Sequence, residues 1–325
     1  MWLSILVFCL IRPASGNATE RFDQLLDSLP NLPALLSASL SADAPPFSMH
    51  YVNIRGAERA GHAPSPESIK AFVELDKAAF TTWSAAMSRI DTFNIAQEVG
   101  SEMLIRNNIP GIRSVFHTLP EWLGVDWFAI DHLAFFGISP YSIVIAFGNG
   151  LNNSPASFTA VMNTAGFSQR EIHGLTEWYR FEDLEHRPDQ AMAVDAMGQR
   201  PLDPFGVSTG HAVRLLGSAE RLAGANASVF SEMVAATWAG IMPGLNEAPQ
   251  YRTALLSVYE SNGYLIQVFL TNRRFLPSEV AVGHLGEYSS HAQRADFIQR
   301  LAEREPPALP RYDLIVLADR QEGQN

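Results

Sequence analysis

Ser208 lies in Gly206-Val207-Ser208-Thr209-Gly210, a spacing that can present a serine nucleophile on a tight turn, and His211 follows directly. That geometry needs a strand to deliver the serine and a helix to receive it. Asp203-Pro204-Phe205 is a poor strand, and His211 to Leu216 reads as strand, so the stretch is expected to be a loop entering a strand. Gly148-Asn149-Gly150 stands where backbone amides ahead of a helix can hold phosphate. Asn153 occupies the place of the third glycine and no Walker lysine follows, so a plain strand-to-helix loop is expected there too. His284, Glu287 and His291 would share a face only on a helix, and Gly283, Gly286 and Ser289-Ser290 oppose one. Three or four convergent ligands are needed to hold a metal. No metal and no cofactor are expected.

Glu121, Asp126 and Asp131 flank Trp122, Trp127 and Phe128. Paired carboxylates beside aromatic rings suit a glycosidase cleft, but equally a solvated rim around an aromatic core, and the rim is the expectation. Phe116, Trp122, Trp127, Phe128 and Phe135 all fall between Ile109 and Phe136. Rings concentrated in this way fill a core or line an apolar pocket. Core is the default, and these five are the candidate ligand-pocket residues.

The elements that must position them are punctuated clearly. Ile130 to Phe136 and Ser142 to Phe147 are strand-like and separated by a turn too short for anything but antiparallel pairing. Ser154, Pro155 and Gly166 supply a cap, a first helical residue and a stop, with Phe158, Val161, Met162 and Ala165 on one face between them. Arg170 to Phe181 predicts a hairpin turning at His173-Gly174. Val213 to Leu216 with Ala219 to Ala223 predicts another, followed by a helix carrying Phe230, Met233, Val234 and Trp238. Thr19 to Leu40 begins as a helix that Pro30 ends early. Phe47 to Ile54 and Tyr264 to Leu270 predict strands. Pro66 to Met87, Pro249 to Ser261 and Ala292 to Arg304 predict helices. Leu314 to Ala318 is apolar without alternation, which predicts an interior strand or one sandwiched between a helix layer and another module.

Hairpins alternating with single helices point to an α+β fold: antiparallel sheets covered by helices on one face, in two similar hairpin-plus-helix modules. The expected boundaries are 17–185 and 186–325, with a signal peptide over 1–16. The signal reading rests on the short apolar run Trp2 to Ile11, below the ~20 residues of a membrane span, and on Ala14-Ser15-Gly16 as a cleavage site. Cys9 is the only cysteine in 325 residues, so no internal disulfide can form. The net charge of −11 is spread along the chain, and Lys70 and Lys77 are the only lysines, which disfavours a nucleic-acid partner. No transmembrane segment is expected in the mature chain.

Phe128-Ala129-Ile130-Asp131 before the first hairpin, Asp203-Pro204-Phe205-Gly206 before the second, and Leu309-Pro310-Arg311-Tyr312 with Ala318-Asp319-Arg320 form a further pattern. From about Pro45 onward the chain resembles a group of exported bacterial proteins, often lipoproteins, with no established activity. The resemblance implies an extracytoplasmic α+β protein. Leu6-Val7-Phe8 before Cys9 departs from a lipidation signal. The functional expectation is an exported, non-catalytic binding or scaffold protein taking an apolar small molecule or an envelope protein partner. The alternatives are a secreted hydrolase using Ser208 and a purely structural envelope protein.

Overall fold

The computed structural model describes residues 16–31, 47–87, 127–138, 141–148, 151, 155–187, 189, 212–217, 220–260, 263–275 and 312–320. Among these residues nine strands occur in chain order: β1 (Phe47–Asn53), β2 (Ile130–Ile138), β3 (Tyr141–Gly148), β4 (Ser168–Ile172), β5 (Leu175–Arg180), β6 (Val213–Gly217), β7 (Arg221–Ala225), β8 (Gly263–Phe275) and β9 (Tyr312–Arg320). Among the described residues seven α-helices accompany them: α1 (Gly16–Ser28), α2 (Ile54–Ala60), α3 (Ile69–Val73), α4 (Lys77–Met87), α5 (Pro155–Thr164), α6 (Ser228–Trp238) and α7 (Pro249–Glu260). The strands form one antiparallel sheet in the order β4-β5-β6-β7-β3-β2-β1-β8-β9. The α+β expectation holds.

Local chemistry explains most of these elements. His173 and Gly174 have φ of 49° and 77°, so both central residues of the β4–β5 turn are left-handed, the twist a two-residue hairpin prefers. Pro155 opens α5, and Gly166 at φ 75° follows its end, with the Phe167 amide donating to the Met162 carbonyl. The helix expected from Pro66 to Met87 is two helices. Ser68 caps α3 by accepting from the Ala71 amide, and Asp76 caps α4 by accepting from the Ala79 amide at 2.8 Å. Asp76 is a strong start signal inside a run whose apolar spacing alone looks continuous.

Both faces of the sheet are covered, not one. Val52, Leu133, Val144, Ala146, Trp178 and Leu215 point to a layer formed by α2, α3, α4 and α5. The alternate residues Tyr51, Ala134, Ile143, Ile145, Leu216 and Ala223 point to a layer formed by α1, α6 and α7. Strict two-residue alternation along each strand therefore feeds two cores. Burial on both sides explains why β3 reads as the unbroken apolar run Ile143 to Ala146.

Ladders between β3 and β7, β5 and β6, and β1 and β8 carry the sheet continuously across residue 186, so that boundary is not a break in the sheet. Of the two positions expected for Leu314 to Ala318, the interior one is overturned by the strand order. β9 pairs with β8 and ends the strand order, making it an edge strand among the described residues. The helix expected over 292–304 lies outside the described residues.

Candidate functional site

Phe128 sits in the 3-10 turn Trp127–Ala129 that leads into β2, and it is buried at the centre of an aromatic cluster. Its ring lies 5.1 Å from that of Phe72 on α3. Phe72 in turn meets Trp83 of α4 edge-on at 4.7 Å and Phe80 at 5.6 Å. Edge-on and tilted contacts are the geometry that ring quadrupoles favour. Phe135, further along β2 on the same face, is only partly buried and packs against this core. Phe116 and Trp122 lie outside the described residues, as does the side chain of Trp127. Of the five pocket candidates, Phe128 lies in the turn before β2 and Phe135 on β2, and both belong to the same core.

A charged group that the sequence reading missed borders the cluster. Arg55, in the first turn of α2, donates from Nε to Asp131 Oδ1 at 3.1 Å and from Nη2 to the Phe128 carbonyl at 2.6 Å. Its Nη1 reaches Glu58 Oε2 at 3.0 Å, Ser65 Oγ at 3.1 Å and the Pro66 carbonyl at 3.2 Å. Glu58 is 1% exposed, yet both its oxygens are engaged. Oε1 accepts from Trp83 Nε1 at 3.0 Å, and Oε2 accepts from Ser65 Oγ as well as from Arg55. Burial opposes the charge on Arg55, but Glu58 and Asp131 outweigh it and hold its pKa above the ordinary value. Asp131, one of the carboxylates weighed as a glycosidase acid, is therefore a partner of Arg55. Glu121 and Asp126 lie outside the described residues.

On the other face, a second network joins β4, β5 and β6 to the start of α6. Glu177 is fully buried, and its Oε2 accepts from Arg170 Nε and lies 3.6 Å from Arg214 Nη1. Its Oε1 is buried without a hydrogen-bond partner. Arg214 also donates from Nε to Asp183 Oδ1 at 2.7 Å. Asp183 accepts from the backbone amide and the hydroxyl of Ser228, capping α6 from a separate loop where Ala227 offers no side-chain cap. Burial raises the Asp183 pKa, but the Ser228 and Arg214 bonds prevail and hold it below the ordinary carboxylate value. On the same face, Tyr51 is completely buried and shares a 2.9 Å hydrogen bond with His132 Nδ1, and burial pushes its hydroxyl pKa well up.

Gly148 has a structural use: a Cβ there would stand 1.7 Å from the Ala129 carbonyl oxygen, so glycine permits β3 to approach the turn before β2. Residues 149–150, the Ser208 segment with His211, and His284, Glu287 and His291 lie outside the described residues. Among the described residues, no three His, Cys, Asp or Glu side chains converge as metal ligands, and no helix is long and apolar enough to cross a membrane.

The Arg55 group was hidden because its partners are far apart in the chain. Arg55 and Asp131 are 76 residues apart, and Trp83 and Glu58 are 25 apart. Only the Arg55–Glu58 pair at i, i+3 on one helix was available to local reading. Comparison with known proteins adds no further constraint: no family model, curated protein or solved structure matches the chain.

Proposed function

We propose that this chain is an extracytoplasmic binding or scaffold protein, related to the exported group it resembles, that receives an apolar small molecule or an envelope partner beside its aromatic cluster. The observation that carries this reading is that Phe128, in the turn before β2, and Phe135, on β2, belong to one core. Phe128 packs against Phe72 and Trp83, while Phe135 packs on the same core and keeps partial contact with solvent. A partly exposed ring backed by a packed core, as Phe135 is, can contact an apolar group at little entropic cost. The Arg55 group supports it, because it fixes the turn that carries Phe128 through that residue's own carbonyl.

Native mass spectrometry of protein isolated from its source should reveal a co-purified apolar molecule or a bound partner. Phe135→Ala should lose that species while remaining folded. Phe128→Ala should instead destabilise the chain by about 3–5 kcal/mol, measured by urea unfolding. A bound species retained in folded Phe135→Ala would remove the basis for the reading. Export predicts a secreted product whose intact mass lacks the first sixteen residues.

A further inference from the structure

Ser65 is the one member of the Arg55 group that is exposed to solvent, and its hydroxyl donates directly to a carboxylate buried from solvent. We propose that Ser65 is a reactive serine, with Glu58 as its base, that accepts the acyl group of an ester. This goes beyond the binding reading and does not depend on it.

The arrangement has the parts an activated nucleophile requires: a serine on an exposed position, a base within hydrogen-bonding reach, and a third group that orients the base. Trp83 Nε1 holds Glu58 Oε1 at 3.0 Å, leaving Oε2 turned to Ser65. Arg55 Nη1 lies 3.1 Å from Ser65 Oγ, where its charge stabilises negative charge developing on that oxygen. The same guanidinium is shared with Asp131, so Glu58 does not hold it alone. A latch between α2 and the following loop explains the Trp83 and Arg55 contacts but does not require the serine to be open to solvent.

In the step proposed, Ser65 Oγ attacks the acyl carbon and the Oγ–C bond forms. The bond to the leaving alcohol breaks, and the serine proton passes through Glu58 Oε2 to the departing alkoxide. Water then gives a proton to Glu58 and attacks the same carbon. Ser65 leaves and recovers its proton, so ester and water become acid and alcohol.

The test is labelling of the purified full chain with an alkyl fluorophosphonate, followed by peptide mass mapping. The expected result is one phosphonyl group per chain, on the peptide containing Ser65. Ser65→Ala should abolish labelling while leaving the melting temperature within a few degrees of the parent, since the side chain is exposed. Glu58→Gln, where it folds, should label at least tenfold more slowly. An unlabelled parent chain, an adduct that persists in Ser65→Ala, or an adduct mapped to Ser208 would each overturn the proposal.

Discussion

Glu58 and Glu177 are both removed from water, yet they are accommodated differently. Around Glu58, every neighbour is a donor: an indole N–H, a guanidinium and a hydroxyl. Glu177 has two arginines, both directed at Oε2, and nothing directed at Oε1. Removing a carboxylate from water costs several kcal/mol, which is recovered only when its lone pairs find donors. Glu58 is thus held by a complete shell spread over α2, α4 and the loop between α2 and α3. Glu177 is held from one side by a pair of charges within the sheet. Burial alone does not say how strongly a charge is fixed; the count and origin of its donors does.

The largest effect that separates the two should come from an isosteric change. Glu58→Gln turns an amide NH2 toward Trp83, Arg55 or Ser65, all of which already donate, and leaves Arg55 short of a counter-charge. We expect a loss of about 3 kcal/mol, and about 3–5 kcal/mol for Glu58→Ala. At Glu177 the amide nitrogen can take the Oε1 position, where no donor stands, while the remaining oxygen still faces Arg170. Arg214 keeps Asp183, and Arg170 is 44% exposed and can turn to water. Glu177→Gln should therefore cost only about 1 kcal/mol. Urea unfolding of both variants decides the matter; equal losses would show that the donor count is the wrong measure.

A smaller effect concerns Asp183, which links the Glu177 network to the first turn of α6. Its folded pKa is lowered, so its contribution is fully present above the ordinary carboxylate value of about 4 and fades as pH falls through the lower folded value. Asp183→Asn should lose about 1 kcal/mol at neutral pH, in the range of a helix cap. The gap between parent and variant should close on acidification below pH ~4. A gap that stays constant down to pH ~2 would mean that the charge on Asp183 does not stabilise the fold.

How much of this was legible in the sequence depends on how far apart the interacting residues lie. The β2–β3 pair, the Pro155 to Gly166 punctuation of α5 and the His173-Gly174 turn are all decided within a few residues, and each was readable. Continuous apolar runs behaved differently. Ile143 to Ala146 and Leu314 to Ala318 look alike as strings, yet β3 lies between β7 and β2 while β9 ends the sheet order among the described residues. A lost alternation reports what covers the two faces of a strand, not what stands beside it. Lateral position is set by distant ladders such as β1 with β8, whose register brings Tyr51 against Ile266. The opposite edge shows what local sequence can say. β4 runs Ser168 to Ile172 with Arg170 and Glu171, short and charged in the way that edge strands avoid unwanted pairing. The Arg55 group was invisible because it joins four segments of chain, and no spacing rule connects them.

The smallest effect expected is on the stability of the Ser65→Ala variant, and it sharpens the contrast between the two carboxylates most finely. Glu58 Oε2 would lose one donor of its shell but keep Arg55 Nη1 at 3.0 Å, while Oε1 keeps Trp83. Ser65 is exposed, so a water molecule can take the place of its hydroxyl at little cost in ordering. A net hydrogen bond exchanged for one to water changes stability by about 1 kcal/mol or less. Glu58 would then tolerate the loss of a donor from its solvent side while failing on the loss of Trp83 from its core side. Trp83→Phe keeps most of the ring but removes the buried N–H, and we expect it to cost about 1–3 kcal/mol, more than Ser65→Ala. Melting curves of the two variants give the order directly. If Ser65→Ala proved the more damaging, the serine would be part of what holds α2 to its loop, and the shell around Glu58 would be a structural latch closed on every side.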